Sequence, residues 1–117
     1  MAGVKYDRGK AIHAAIPPCA SRAMSEAFTE GARKYGLYNY RNGMEWSRIY
    51  SATMRHLLDF WERVDRDPES GILALGHAMA DVAMLIDCQV HGIGVDDRPD
   101  RHPQLVPIVS KKEDDNV

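Results

Sequence analysis

Residues 71–92 read GILALGHAMADVAMLIDCQVHG, and this stretch decides the fold. Ile72, Leu73, Leu75, Ala78, Met79, Val82, Ala83, Met84, Leu85 and Ile86 fall all the way round a helix of 3.6-residue period, the pattern of a helix buried at the centre of a bundle. His77 and Asp81 interrupt that apolar surface along a single line. A carboxylate buried there without a partner costs several kcal/mol, so the pair is expected to meet a cation or hydrogen-bond donors. The helix turns polar at Asp87 and Gln89 and stops at Gly92.

Working outward, Asp65-Arg66-Asp67-Pro68-Glu69-Ser70-Gly71 separates this segment from an earlier one. Pro68 disfavours a helical Asp67 and can itself begin a helix. The second helix is predicted from Met44 to Val64, with Trp46, Ile49, Tyr50, Thr53, Leu57, Phe60, Trp61 and Val64 on one face. Asn39 to Gly43 reads as a turn. The first helix is predicted from Pro18 to Tyr35, opened by Pro17-Pro18 and stopped by Gly36, with Ala20, Met24, Ala27, Phe28, Gly31 and Tyr35 as its apolar stripe. Three long helices without strand-like alternation predict an all-α bundle with the third helix central. Its apolarity asks for more cover than two neighbours give, which predicts a homodimer.

The chain has 117 residues and 44% hydrophobic content, enough for one core and not two. Residues 1–92 are expected to form the domain, with an extended lead-in, and 93–117 a Pro-rich, charged tail whose end from Ser110 is disordered. Fifteen basic against seventeen acidic side chains give a net charge of -2, which excludes an electrostatic footprint for nucleic acid. Cys19 and Cys88 lack C-x-x-C spacing and read as reduced, buried thiols. No signal peptide or membrane span is expected, so the reading is a soluble, cytoplasmic protein.

Spacing four apart stacks His77 over Asp81 on one helix and Glu26 over Glu30 on another. Converging, the two pairs would give a mainly carboxylate shell with an imidazole, suited to Mg2+ or Mn2+ when a phosphate completes it. The plain alternatives stay open. An ExxxE pair is commonly a solvated face, and a core histidine is commonly bonded to a carbonyl. Asp65, Asp67 and Glu69 lie at alternate positions before the third helix, where they cap it or hold a hydrated metal. Lys34, Arg41, Arg48 and Arg55 offer donors for phosphates, with His56 turned into the bundle and Arg55 outward.

Beyond these separate readings, one ordered string of segments resembles the phage dATP/dGTP diphosphohydrolase family. It comprises Lys5-Tyr6-Asp7, Gly9-Lys10, Ile16-Pro17-Pro18, Gly31-Ala32, Lys34-Tyr35-Gly36, Asn39-Tyr40-Arg41, Gly43-Met44, Arg55-His56, Asp65, Asp67-Pro68-Glu69-Ser70-Gly71 and His77-Ala78. That family is grouped with MazG-like, all-α nucleoside triphosphate pyrophosphohydrolases. The resemblance implies hydrolysis of a purine (deoxy)nucleoside triphosphate to monophosphate and pyrophosphate with Mg2+ or Mn2+, in phage nucleotide-pool control. Departures include Tyr40 for a tryptophan, Arg63-Val64 for Gly-Glu, Ala74 for a histidine, and Ala78 where a MazG-like site has glutamate. On this reading Glu30, Asp81 and His77 are catalytic, and with Glu26 and Glu69 they hold two or more ions. Lys34, Asn39, Tyr40, Arg41, Arg55 and His56 bind substrate, with Asn39, Tyr40 or Trp46 framing the base. Two rivals are an HD-like phosphohydrolase built on His56, His77 and Asp81, and a non-catalytic helical dimer that binds a nucleotide or a partner.

Overall fold

A computed structural model describes residues 2–101, and it is all-α. Three helices, α1 (Pro18–Tyr35), α2 (Trp46–Trp61) and α3 (Ala74–His91), are joined by loops with short 3-10 turns at His13–Ala15 and Asn39–Arg41. Among the described residues the β-type pairing amounts to two isolated bridges, Glu45 with Val95 and Arg66 with Leu73. Helix α3 packs against both α1 and α2. Its direction relative to each follows from long-range contacts. The His56 and His77 rings stack and Trp46 Nε1 bonds the Ile93 carbonyl, so α2 runs antiparallel to α3. Ala23 lies at Gly76, and Tyr40 reaches Asp87, so α1 runs alongside α3 in the same sense.

The Pro17-Pro18 start and Tyr35 end of α1 match the sequence reading. Helix α2 is shorter than predicted at both ends. Trp46 N–H and Met44 C=O pair with Val95 instead of continuing a helix, and after Trp61 the chain turns through Arg63, a non-glycine residue with φ of 66°. Helix α3 begins at Ala74, not beside Pro68, because Asp65, Asp67 and Ile72 are used in a closed loop. Ala74 N–H bonds Asp65 C=O, Asp67 N–H bonds Ile72 C=O, and Gly71 N–H bonds Asp67 C=O. No side chain caps α3, so the carboxylates of that loop do not serve as its cap.

The expectation that α3 is buried all round needs correction. Ala74, Gly76, Ala78, Ala80 and Cys88 are buried, whereas Leu75, Val82, Ile86 and Val90 are 40–70% exposed. Helices that approach closely select small residues at the seam, and two neighbours cannot surround a third helix. Gly76 shows how close the seam is: a Cβ there would sit 2.9 Å from the Ala23 carbonyl oxygen. The core is consequently made of Ala23, Ala27, Ile49, Thr53 and the small residues of α3, and the large side chains of α3 lie outside it.

Cys88 is buried and Cys19 exposed, with both thiols free. Cys19 lies in the exposed first turn of α1, one turn before Ala23, which packs at Gly76. Beyond Gly92 the chain keeps contact with the start of α2. Val95 pairs with Met44 and Trp46, and Asp97 accepts from the Ser47 amide at 2.9 Å and from its hydroxyl. The rest of the expected tail, 102–117, lies outside the described residues. No helix among the described residues is long and apolar enough to cross a membrane.

Candidate active site

The front of α3 carries His77, Ala80, Asp81 and Met84, and α1 and α2 flank it to form a cleft of about 390 Å³. That volume lies within the range of small-molecule sites. Glu30 and Lys34 of α1, His56 of α2, and Asp67 and Glu69 of the loop before α3 complete its polar end. Tyr35, Leu37, Tyr38, Asn39 and Tyr40 also line it, giving an aromatic-rich stretch from the end of α1 through the following turn.

The polar end is held by a short chain of contacts. The Ser70 amide donates to Asp67 Oδ2 at 2.8 Å, and the Ser70 hydroxyl bonds His77 Nε2 at 2.9 Å. His77 stacks on His56 with centroids 4.8 Å apart and planes 15° from parallel. His56 Nε2 lies 4.0 Å from Asp81 Oδ2, beyond hydrogen-bond reach. Asp81 Oδ2 and His56 Nδ1 are both buried without a partner. Burial pushes the Asp81 carboxyl up to about 7, against a smaller opposing pull from the Arg55 charge. Burial, and then the neighbouring His77, push His56 down. Burial acts to raise Asp67, but hydrogen bonding from Ser70 outweighs it and holds that carboxyl below its ordinary range. The site thus contains one carboxylate satisfied by its own loop and one with a buried oxygen that no donor reaches.

Glu30, Glu69, His77, Asp81, Lys34, Asn39, Tyr40 and His56 all line the cleft. Glu26, Arg41 and Arg55 are exposed and do not. Glu30 is ion-paired with Arg33, one turn along α1, and Lys34 Nζ sits 3.9 Å from Glu69 Oε1. The two expected pairs therefore do not converge: Glu26 points away, and among the described residues no three His, Cys, Asp or Glu side chains form a group that could hold a metal ion. His56, His77 and Asp81 do meet, but the imidazoles stack face to face and the three make no such group. The cleft wall nonetheless carries Asp81 with a buried, unpartnered oxygen, and Glu30 and Glu69, each facing a basic side chain of α1.

Trp46 is absent from the cleft. Its Nε1 donates to the Ile93 carbonyl at 2.8 Å, and Arg98 lies over its ring. The sequence reading passed over Tyr38 and Asp87. Tyr38 joins the cleft wall with φ of 63°, a left-handed conformation uncommon for a non-glycine residue. Asp87 read only as the point where α3 becomes polar, yet it binds Tyr40, Arg41 and His91. Only the spacing of Asp87 and His91, one turn apart, signalled any of this.

A model of the family described as dATP/dGTP diphosphohydrolase, N-terminal, matches residues 1–98. The dATP/dGTP diphosphohydrolase of Salmonella phage PMBT28 is 33% identical over 78 residues, covering 67% of this chain and 27% of the phage protein. The chain thus spans about a quarter of the length of the curated relative it matches. No solved structure matches it.

Proposed function

The chain belongs to the dATP/dGTP diphosphohydrolase N-terminal family, and from that membership we propose that its cleft hydrolyses a purine deoxynucleoside triphosphate such as dGTP or dATP to the monophosphate and pyrophosphate. The observation that carries the reading is Asp81, whose buried oxygen lacks a partner in a nucleotide-sized cleft. A buried polar atom of this kind is kept where a ligand satisfies it.

Asp81 would hold Mg2+ or Mn2+ there together with the substrate phosphates, and Glu30 and Glu69 would act on the ion from the same cleft without forming a ready-made metal group with Asp81. A bound divalent ion supplies charge neutralisation and a more acidic water. Lys34, at the mouth beside Glu69, offsets negative charge on the leaving pyrophosphate. His77, fixed by Ser70, is the proton acceptor for the water that attacks the α-phosphorus. The bond from that phosphorus to the bridging oxygen breaks, and the electron pair leaves with pyrophosphate. On the side of α3 away from the cleft, Leu75, Val82, Ile86 and Val90 are the surface for a second copy of the chain, which would complete the bundle.

The test is to incubate the protein with each deoxynucleoside triphosphate and Mg2+ or Mn2+, reading pyrophosphate against phosphate. Pyrophosphate is expected from dGTP or dATP and is abolished by Asp81→Ala. Release that survives Asp81→Ala overturns the site, and failure to bind or cleave any triphosphate overturns the activity.

A further inference from the structure

Less than two turns of helix beyond the unpartnered carboxylate of Asp81, Asp87 is crowded with donors. Its carboxylate accepts the Tyr40 hydroxyl at 2.5 Å, Arg41 Nε at 2.8 Å, Arg41 Nη2 at 2.9 Å and His91 Nδ1 at 2.9 Å. The neighbouring Cys88 is fully buried, so this part of α3 is a fixed wall. The turn it holds is not fixed by anything comparable. Bonds from Asn39, Arg41 and Asn42 amides run to Gly36, Tyr38 and Asn39, all within the same loop. Among the described residues, every hydrogen bond that links Leu37–Gly43 to α3 ends on Asp87.

The fork from Arg41 to a carboxylate fixes orientation as well as distance. Arg41 also lies 5.9 Å from the centre of the Tyr38 ring, so a chain of contacts runs from Asp87 through Arg41 to Tyr38. Tyr38 and Asn39 line the cleft, and Tyr38 is 62% exposed, so its ring has a face to offer besides the one Arg41 covers. An aromatic face accepts any base, whereas the Asn39 amide has both a donor and an acceptor for a base edge.

We infer that Asp87 is a positioning residue that sets, through Arg41 and Tyr40, the turn on which Tyr38 and Asn39 receive the purine base. Arg41 then serves the base end of the cleft and does not grip phosphate. This inference rests on the nucleotide reading of the cleft.

Pyrophosphate separates positioning from general damage, because it occupies the phosphate end and has no base. Asp87→Ala is expected to raise KM for dGTP or dATP at least about tenfold, with kcat within about threefold. Pyrophosphate should inhibit the variant as it inhibits the native protein. The charge-swapped pair Asp87→Arg with Arg41→Asp should recover part of the lost KM. Should Asp87→Ala fail to fold, Tyr40→Phe removes one of the bonds and is expected to raise KM about threefold with the same unchanged pyrophosphate inhibition. An unchanged KM, or pyrophosphate inhibition weakened in parallel, overturns the positioning role and leaves the activity standing. If the native protein neither cleaves a deoxynucleoside triphosphate nor binds one by calorimetry, the activity and the positioning role fall together.

Discussion

Asp81 and Asp87 are carboxylates on one helix with opposite surroundings. Asp81 has a buried oxygen 4.0 Å from His56 that touches no donor, and its carboxyl is pushed up to about 7. Asp87 takes hydrogen bonds from Arg41, Tyr40 and His91, and these hold its carboxyl far below the ordinary range against a smaller effect of burial. Folding therefore disfavours the charge of the first and favours that of the second. On the proposed function the difference is one of purpose: donors that the protein supplies make Asp87 structural, whereas the donors it withholds would leave Asp81 for a ligand.

The strongest way to break this contrast is Asp81→Asn, which keeps the shape and removes the charge. Turnover of dGTP or dATP is expected to fall by roughly a thousandfold, the scale of losing a group that stabilises transition-state charge. Stability should move the other way, and its sign follows from the raised carboxyl. Between the ordinary aspartate value of 3.8 and about 7, the unfolded chain releases a proton that the folded chain retains. The fold is thus weakened as pH rises through that window, by about 4 kcal/mol once complete. In chelator, Asp81→Asn should raise the melting temperature by roughly 5 °C or more at pH 8 and leave it unchanged near pH 3. Equal melting temperatures at pH 8 would show that Asp81 already has a partner in the folded protein. Adding Mg2+ or Mn2+ should then raise the melting temperature of the native protein and not of the variant.

A second experiment moves the cleft walls and leaves both carboxylates in place. A methyl group at Gly76 has no room beside the Ala23 backbone, so Gly76→Ala forces α1 away from α3. The expected loss is about 1–3 kcal/mol, read from urea unfolding. Because Glu30 and Lys34 ride on α1, activity should fall with it. Full activity in this variant would show that the seam does not set the polar end of the cleft. A smaller effect is expected from Ser70→Ala, which frees His77 from its hydroxyl partner while sparing Asp81. Turnover should drop by about tenfold in kcat with KM little changed.

Much of this arrangement was legible from residue spacing. Pro17-Pro18 and Gly36 marked both ends of α1, and all-round apolarity identified α3 as the helix on which the others pack. Spacing also placed His77 over Asp81, and both line the cleft with Glu30 and Lys34. The failures share one cause. Met44 and Val64 extend the apolar stripe of α2, but Met44 is committed to Val95, about fifty residues away, and no local pattern reveals that. Trp46 was drawn toward a base and is held instead by Ile93. Asp87 was similarly invisible, because its partners Tyr40 and Arg41 lie in the turn after α1, more than forty residues earlier. Apolarity, finally, cannot say which side of α3 is covered; the size of the side chains does, with alanine and glycine at the seam and leucine, isoleucine and valine outside.

The smallest expected effect tests the other half of the contrast. Asp87→Asn removes the charge that Arg41 and Tyr40 address while keeping one acceptor oxygen, so the fold survives and the turn at 39–41 loosens. A carboxyl held below its ordinary range contributes stability that is complete above that range and is lost as pH falls through its folded value. The variant should accordingly melt a few degrees below the native protein from pH 6 to pH 8, with a gap that narrows only at strongly acid pH. Asp81→Asn shows the reverse, a gap that opens between pH 4 and 7. Two substitutions of the same chemistry on one helix then give pH profiles of opposite sign. If both profiles slope the same way, burial and not the supply of donors governs the two carboxylates, and the division of α3 into an open site and a saturated clamp fails.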